Sequence, residues 1–433
     1  MKHLVIKNLG PIKEVDIELN RFNVFVGPQS SGKSTIVKVM STCEWVEKEV
    51  TTSLDENAIK DGGSFRALME QFHKMEGYFN KPLPTSIVYD TDIVRIEYQN
   101  DTLKITLKDE HQYKRQKISY IPAERNMVTL PELDGFEFKN TNLKSFLFDW
   151  WRARDFHTLE NKLNILGLGY QYYYDKNLSS KKDRIQHMNG VTYDISLSDS
   201  SSGLQSVTPL FVMLEYYSNQ YFKEYKAKSS FVNEDKQRRT GSALIEKYIL
   251  NELQKESLGK SKEELLDLFN NRLQQMDPQA REMFQMYAEA FERLTTPTKI
   301  TYIIEEPEQN LFPETQMALL RYIITICLSD RAHACTLTTH SPYILYALNN
   351  CMLAWLVKDK VDEDTRNSNV ALQSAVDPKE VSVWSIKDGY ICNEEGERQR
   401  GIQDKRGLVR KNYFNMIMKD VMNGFNELLS YDD

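Results

Sequence analysis

The sequence predicts an α/β protein built on a mixed sheet, and three observations support this fold class. Short alternating or apolar stretches separated by turn residues fill the first 26 positions, which indicates three strands. The third stretch runs directly into the glycine-rich segment 27–34, and the apolar spacing of a helix follows it. A long block rich in Glu, Lys, Gln and Leu at 207–295 is typical of further helices.

The region between these segments predicts a second group of strands. Four short apolar or alternating runs at 86–121 indicate another β region, and Asn100-Asp101 between two of them is a suitable hairpin turn. The fold that we expect includes an antiparallel β subdomain and a helical insertion beside the mixed sheet. Aromatic residues at helical spacing favour a helix over 142–166. The pattern at 168–196 returns to that of strands.

Composition excludes several classes of protein. A hydrophobic share of 41% and a charged share of 27% exclude wholesale disorder in a chain of 433 residues. We expect neither a membrane span nor a signal peptide, since the longest apolar runs are short and the first residues carry charge. Five scattered cysteines without a C-x-x-C pair predict a reduced, cytoplasmic chain. The net charge of -7 gives no overall nucleic-acid signal, so only a local basic surface stays open.

The strongest motif is G-x-x-x-x-G-K-S between a strand and a helix. Glycines at a helix N-terminus let backbone N–H groups surround phosphates. Lys33 would then pair with the β- and γ-phosphates, and Ser34 would bind Mg²⁺. The predicted nucleotide-binding residues are Gly27, Pro28, Gln29, Ser30, Ser31, Gly32, Lys33, Ser34 and Thr35.

Two later strands end in polar residues that suit the same site. The apolar strand at 300–304 ends in Glu305 and Glu306, and carboxylates at the carboxyl edge of a parallel sheet would lie beside the phosphate loop. Glu305 would hold the Mg²⁺ shell and Glu306 would polarise the attacking water. His340 follows the strand at 334–339, from which it can reach the γ-phosphate or this water.

A fourth motif is a small-residue turn before a helix, which can act as a second anion cradle or as a plain N-cap. Its residues are Ser201, Ser202, Gly203, Leu204 and Gln205.

Taken in order, these motifs resemble the ABC-type ATPase heads of the SMC, RecF and OLD group, and within it the compact bacterial AAA-type ATPases that partner effectors in phage defence. The resemblance implies ATP and Mg²⁺ as ligands, with Lys33, Glu306 and His340 as the catalytic set. It also implies that the signature residues Ser201, Ser202, Gly203 and Gln205 act in trans, on the γ-phosphate held by a second subunit. The expected assembly is therefore a homodimer or higher homo-oligomer around ATP.

The same resemblance divides the chain. The predicted head covers 1–215 and 298–390 with a small insertion at about 46–85, a helical insertion covers 216–297, and a basic stretch with an amphipathic helix forms 391–433. A Q-loop would fall near Glu124 and Arg125, although the expected glutamine is missing. Residues Glu308–Leu311 would form the D-loop.

Two departures and one absence bear on function. Glu305 stands where an aspartate is usual, and Leu204 replaces the second signature glycine. The last 90 residues are too few for the nuclease domain of OLD proteins and lack its acidic pattern. We therefore expect no nuclease activity from this chain and a separate nuclease or toxin as its effector.

Three functions stay open on the sequence. The first is an ATPase sensor or scaffold in anti-phage defence, the second a RecF- or SMC-like DNA-repair clamp, and the third a relative of ATP-dependent anticodon nucleases. The basic stretches at 223–239 and 398–411 would suit nucleic acid or an acidic partner, but solvated faces explain such runs more often.

Overall fold

The structure is a computed structural model that describes residues 2–80, 82–130, 141–188, 193–228, 234–329, 331–393, 397–398 and 401–431. Its strands are β1 (Lys2–Leu9), β2 (Ile12–Leu19), β3 (Phe22–Val26), β4 (Ser86–Asp90), β5 (Val94–Gln99), β6 (Thr102–Leu107), β7 (Gln116–Ile121), β8 (Leu163–Asn164), β9 (Tyr170–Tyr174), β10 (Asp183–His187), β11 (Asp194–Ser196), β12 (Lys299–Glu305), β13 (Ala334–Thr339), β14 (Val381–Lys387) and β15 (Tyr390–Ile391).

The helices alternate with these strands only in the second half of the chain. They are α1 (Lys33–Ser53), α2 (Gly62–Ala67), α3 (Asn142–Arg154), α4 (Ser202–Glu215), α5 (Tyr221–Lys228), α6 (Glu234–Ile245), α7 (Asn251–Glu256), α8 (Lys262–Gln274), α9 (Pro278–Thr295), α10 (Pro313–Cys327), α11 (Pro342–Val357), α12 (Glu363–Ser368), α13 (Val370–Gln373) and α14 (Tyr413–Leu429).

One mixed sheet of eleven strands, in the order β6-β5-β4-β1-β2-β15-β14-β3-β13-β12-β7, forms the centre of the molecule. Strands β14, β3, β13, β12 and β7 run parallel, and we call them the parallel half. Strands β6, β5, β4, β1 and β2 pair antiparallel and form the antiparallel arm. The short β15 joins the two. A separate antiparallel sheet has the order β11-β10-β9-β8. The predicted α/β class, with a mixed central sheet and an antiparallel β subdomain, is confirmed. Of the four runs at 86–121, three form β4, β5 and β6 of the arm, whereas the fourth is β7, which pairs parallel with β12.

The parallel half is covered on both faces, as its apolar strands require. Alternate residues of β3 show this, because Phe22 and Val24 join one hydrophobic cluster with α3, α4, α10 and α11, while Phe25 joins another with α1 and the arm. The helical block has its own small core between the helices α7, α8 and α9, around Leu253 and Phe269.

Two local predictions can be compared directly with these elements. The Asn100-Asp101 turn is confirmed: both residues have positive φ values, of 47° and 58°, between the paired ends of β5 and β6. The helix predicted over 142–166 was too long, because α3 ends at Arg154 and β8 begins at Leu163. Trp150 and Trp151, which carry the aromatic spacing, lie within α3, and Trp150 packs against Tyr172 of β9.

The five cysteines are all buried, free thiols. In the part of the chain that the structure describes, no helix is both long and apolar enough to cross a bilayer.

Candidate functional site

The register of the parallel half places three predicted motifs at one edge of the sheet. Val26 at the end of β3 pairs with Thr339 at the end of β13, and Thr338 of β13 pairs with Glu305 at the end of β12. The phosphate loop, the Glu305-Glu306 pair and His340 all follow these strand ends. Since the carboxyl ends of parallel strands form the usual ligand edge of an open sheet, the three motifs share one site.

The phosphate loop has a backbone that requires its two glycines. Gly27 has a φ of 148°, and a Cβ there would lie 2.3 Å from the carbonyl oxygen of Ile386. Gly32, with a φ of 110°, immediately precedes α1. A side chain at either position would be strained and would clash, so the loop depends on glycine for its close turn.

Lys33 is buried and folded back onto its own loop. Its Nζ donates to the carbonyls of Gly27 at 2.9 Å and Pro28 at 2.7 Å. Burial lowers the pKa of Lys33 to about 8, while the charges of Glu306 and Glu308 act in the opposite direction. The hydroxyl of Ser31 is buried without a hydrogen-bond partner among the described residues. The loop therefore holds a cation and a free hydroxyl suited to an anion.

Glu306 lies directly after β12 in a left-handed conformation, with a φ of 45°. Its backbone N–H donates to the Thr338 carbonyl at 2.9 Å, which fixes this turn against β13. Its carboxylate lies 3.5 Å from Nε2 of His340, and both side chains are about one third exposed, at 36% and 30%. The hydrogen bond with His340 lowers the pKa of Glu306, which is therefore ionised at neutral pH. Glu306 and His340, which were predicted separately, are thus in contact in the structure, and their catalytic roles stay predictions.

Glu308 fixes the backbone that presents His340. Its carboxylate accepts from the His340 backbone N–H at 2.5 Å. Burial raises the pKa of Glu308. Gln316 of α10 supports the next residue, since its amide oxygen accepts from the Ser341 hydroxyl. His340 therefore stands on a turn that is held from two sides.

Glu305 makes a contact that the sequence did not predict. Its carboxylate accepts from the hydroxyl of Tyr120 at the end of β7, and Glu305 is only 7% exposed. The pKa of Tyr120 is raised by burial and by the Glu305 charge, so the phenol remains a donor. The predicted role of Glu305 in the Mg²⁺ shell stays a prediction, now with a partner that orients the carboxylate.

Arg125 is fully buried and holds the turn after β12. Its guanidinium donates to the backbone carbonyls of Glu305 at 2.9 Å, Glu306 at 2.8 Å and Ser206 at 3.1 Å. Burial lowers the pKa of Arg125 to about 10, and it stays charged at neutral pH. Two residues were suggested by the Q-loop resemblance. Arg125 contacts the turn formed by Glu305 and Glu306, which we call the glutamate turn, and α4, which begins with the signature residues and which we call the signature helix. Glu124 is exposed.

The signature segment lies at the N-terminus of α4. Ser201 is the N-cap residue, Ser201 and Ser202 are exposed, and the Gln205 amide donates to the carbonyls of Ser198 and Ser200, both at 2.9 Å. A Cβ on Gly203 would lie 3.2 Å from the Asn310 carbonyl. Among the described residues, neither serine has a hydrogen bond to the phosphate loop of its own chain, and the role in trans stays a prediction.

The predicted D-loop also contacts this helix. The Asn310 side-chain amide donates to the Ser206 hydroxyl at 2.9 Å, and Asn310 itself has a positive φ of 59°. A single hydrogen-bonded group of residues, from Ser206 through Arg125 to Glu306, therefore joins the signature helix to the glutamate turn.

The residues present fit a magnesium nucleotide. In the described chain no group of three or more His, Cys, Asp and Glu side chains could by itself hold a metal. Mg²⁺ commonly takes one or two protein oxygens and completes its shell with substrate phosphates and water. Ser34 in the first turn of α1 and Glu305 are the residues that would hold it, while the orphaned Ser31 hydroxyl and Lys33 would receive the phosphates.

Sequence reasoning missed the long-range partners Tyr120 and Gln316, and it named Arg125 without its contacts. Tyr120 and Arg125 lie in the segment singled out as a Q-loop, but nothing in its spacing indicates which backbone or carboxylate they contact. Their roles follow from the pairing of β7 with β12, which brings residues about 180 positions apart into hydrogen-bond distance.

Two arginines of the basic stretch at 398–411 contact other side chains of this chain. Arg398 stacks on the Tyr390 ring at 3.8 Å, and Arg410 pairs with Asp404 at 2.8 Å. Arg400 and the side chains of Lys226, Lys228 and Lys236 lie outside the described residues.

Comparisons with known proteins give only distant likenesses. No protein-family model matches the sequence, and a comparison with curated proteins finds no match either. Among solved structures the chain is similar to an SMC head domain from Thermotoga maritima, with 12% identity, a TM-score of 0.34, and coverage of 80% of this chain and 90% of that one. It is also similar to the recombination mediator RecF, with 10% identity, a TM-score of 0.28 and coverage of 90% and 96%.

A third similar structure is a dimeric ATP-binding cassette in a post-hydrolysis state bound to ADP and Pi, with 11% identity, a TM-score of 0.24 and coverage of 92% and 99%. These structures are of the ABC, SMC and RecF kinds that the motif order resembles. Their TM-scores are too low to carry an argument, so the fold assignment rests on the strand order and on the position of the phosphate loop.

Proposed function

We propose that this chain is a Mg²⁺-dependent ATPase of ABC type whose two copies close head to head around ATP. The observation that carries the proposal is the single edge at which Lys33, the Glu306–His340 pair and the Glu305–Tyr120 pair follow neighbouring parallel strands. A phosphate loop alone would support nucleotide binding but not hydrolysis. A paired glutamate and histidine beside it are suited to positioning and polarising a water molecule.

In this mechanism each residue has a defined task. The backbone N–H groups at the start of α1 and the Lys33 ammonium bind the phosphates. Mg²⁺, held by Ser34 and Glu305, would supply charge neutralisation at the phosphate oxygens. Glu306 accepts a hydrogen bond from the attacking water, and His340 holds the carboxylate in place. Ser202 and the N-terminus of α4 would bind the γ-phosphate of the second copy.

ATP turnover would control a separate effector, a nuclease or a toxin, in defence against phage. The resemblance of the motifs to phage-defence ATPases supports this finer role, together with the lack of an acidic nuclease pattern in the sequence. Specificity for ATP over GTP rests on the same resemblance, and a cytoplasmic location rests on the scattered cysteines. A clamp that binds duplex DNA, as RecF-like proteins do, is the second candidate, and the basic stretch at 398–411 favours it.

The first experiment measures ATP turnover and particle mass together. We expect Lys33→Ala to abolish turnover and Glu306→Gln to stop turnover while an ATP-bound dimer accumulates, because nucleotide binding is kept when the water is no longer polarised. Glu282→Gln, an exposed change on α9, is the matched control and should behave as wild type. A Glu306→Gln chain that turns over ATP normally would contradict the assignment of Glu306.

The trans role of the signature has its own test. Ser202→Arg should leave one ATP bound per chain but prevent the dimer that Glu306→Gln accumulates, since the long side chain would obstruct the facing phosphate. Dimer formation by the double variant would overturn the proposed sandwich. Salt-sensitive binding to duplex DNA that needs ATP would favour the clamp over the effector-controlling role.

A further inference from the structure

A second cavity lies away from the phosphate loop, between the middle of α1, the segment 64–73, and β7. Its volume is about 690 Å³, within the range of small-molecule sites. Aromatic residues form much of its wall, with hydroxyl and amide groups between them. The aromatic wall residues are Trp45, Phe72, His73, Tyr120 and Tyr221.

The charged residues of the wall are all cations. Lys48, Arg115 and Lys117 line the cavity, and no carboxylate does. Lys117 is paired with Asp149, which lies outside the wall, at 2.7 Å. The Arg115 guanidinium donates to the Leu294 carbonyl at 3.2 Å and pairs with no carboxylate among the described residues. Arg115 is therefore the wall cation best placed to receive an anionic group.

One buried polar atom of the wall has no partner. His73 is 1% exposed, and its Nδ1 makes no hydrogen bond in the described part of the chain. Burial lowers the pKa of His73 to about 3, so the ring enters the wall as a neutral aromatic group. An unmatched buried polar group costs about 1–3 kcal/mol, so this wall is not arranged for stability alone.

We propose that this cavity binds a small ligand with a planar ring and an anionic phosphate, of about the size of a nucleoside monophosphate. The ring would lie among the aromatic side chains, and the phosphate would pair with Arg115. This ligand site is separate from the phosphate loop.

The wall also reaches the candidate ATP site. Tyr120 contacts the cavity with its ring, 5.1 Å from the His73 ring centroid, and its hydroxyl donates to Glu305. Ser41 and Thr42 belong to α1, the helix that begins at Lys33. A bound ligand would thus contact two elements that position phosphate-binding and Mg²⁺-binding groups, so it would regulate the ATPase. This regulatory role rests on the proposed function, whereas the binding site does not.

The experiment uses the full chain with Lys33→Ala, so that the phosphate loop contributes little, and AMP as the probe in isothermal titration calorimetry. We expect one AMP bound per chain, with affinity lowered about tenfold or more by Arg115→Gln, because a charged hydrogen bond is lost. Ala67→Trp should fill the cavity and abolish binding. Arg281→Gln, an exposed change on α9, is the control and should leave the affinity unchanged.

Adenosine and inorganic phosphate separate the two parts of the ligand. Weaker binding of each than of AMP supports a site that uses both ring and phosphate, and Arg115→Gln should affect only AMP and phosphate. If Ala67→Trp does not fold, Arg115→Gln with Arg115→Lys as the rescuing variant still decides the question. Absence of AMP binding at millimolar concentration, or equal AMP binding by Arg115→Gln and its parent, overturns the proposal.

Regulation is tested separately in the wild-type chain. AMP bound at this cavity should change kcat for ATP, and Arg115→Gln should remove that change, whereas simple competition at the phosphate loop would alter KM alone. Binding without any change in kcat overturns the regulatory role and leaves the binding site standing. An inactive wild-type chain that still binds AMP would count against the proposed function and not against the cavity.

Discussion

The two halves of the central sheet differ in where they hold an arginine side chain. In the antiparallel arm, Arg95 pairs at the surface: it contacts both Asp90 and Glu97 at 2.9 Å while it remains 40% exposed. In the parallel half, Arg125 is fully buried and its partners are backbone carbonyls. The exposed pairs of Arg95 require little desolvation of charge, whereas Arg125 is a buried charge at the edge where the phosphate loop lies.

Residues with positive φ values occur in both halves, but they have different consequences there. The positive φ values of Asn100 and Asp101 in the arm belong to a hairpin turn, a common place for these residues. The positive φ of Glu306 in the parallel half carries a carboxylate out of β12 towards His340. A strained non-glycine residue that also makes a polar pair beside a phosphate loop is a sign of function, which the same torsion in a hairpin is not.

The largest expected difference is in the free energy of unfolding, between variants of Arg125 and Arg95. Arg125→Gln leaves carbonyls of Ser206, Glu305 and Glu306 without a full set of donors, so we expect a loss of about 3–5 kcal/mol in the free energy of unfolding. Arg95→Gln in the arm should lose less than about 1 kcal/mol, because its ion pairs are exposed. Urea denaturation of both variants measures this, and equal losses would show that the contrast between the two halves is wrong.

A smaller difference in stability and in kcat is expected between variants of Tyr120 and Tyr98. Tyr120→Phe removes the hydroxyl that donates to the buried Glu305 carboxylate, which should cost about 1–3 kcal/mol and lower kcat for ATP. Tyr98→Phe in the arm removes a hydrogen bond of 2.7 Å to the half-exposed Asp101, which water can replace, and should cost about 1 kcal/mol with kcat unchanged. Steady-state kinetics beside thermal unfolding distinguishes them. An unchanged kcat in Tyr120→Phe would remove Glu305 from the proposed Mg²⁺ shell.

The smallest expected effect is the uptake of a proton by Lys33 when ATP binds. Free Lys33 has a pKa lowered to about 8, and a phosphate beside its ammonium would raise that pKa again. ATP binding should therefore take up protons as the pH rises through about 8, and almost none near pH 6, where Lys33 is already charged. Lys7 in the arm is exposed beside Glu14, which raises its pKa, so it stays charged and contributes nothing.

Calorimetry of ATP binding in buffers of different ionisation enthalpy measures this uptake. Lys33→Arg keeps the positive charge but cannot lose its proton in this range, and it should take up none. Uptake that persists in Lys33→Arg would assign the proton to another group.

The sequence by itself determined the parts of this protein whose signals are local. A glycine-rich run between a strand and a helix has few other physical explanations, so the sequence alone predicts a phosphate-binding loop at 27–35, and the strand and helix that flank it are present. The hairpin at Asn100-Asp101 and the amphipathic pattern of α14 are equally local. Period and turn chemistry extend over a few residues, and each of these features depends on nothing further away.

Only the tertiary structure decided which polar groups meet. Arg125 holds the carbonyl of Glu306, and Tyr120 donates to Glu305, because β7 pairs with β12. No spacing along the chain indicates a contact across about 180 residues. Helical spacing likewise did not show that α3 ends at Arg154 and that a strand begins at Leu163. Motifs specify the chemistry that a chain can perform, whereas the pairing of distant strands decides which side chains orient it, because burial makes each polar atom depend on the partner that packing brings to it.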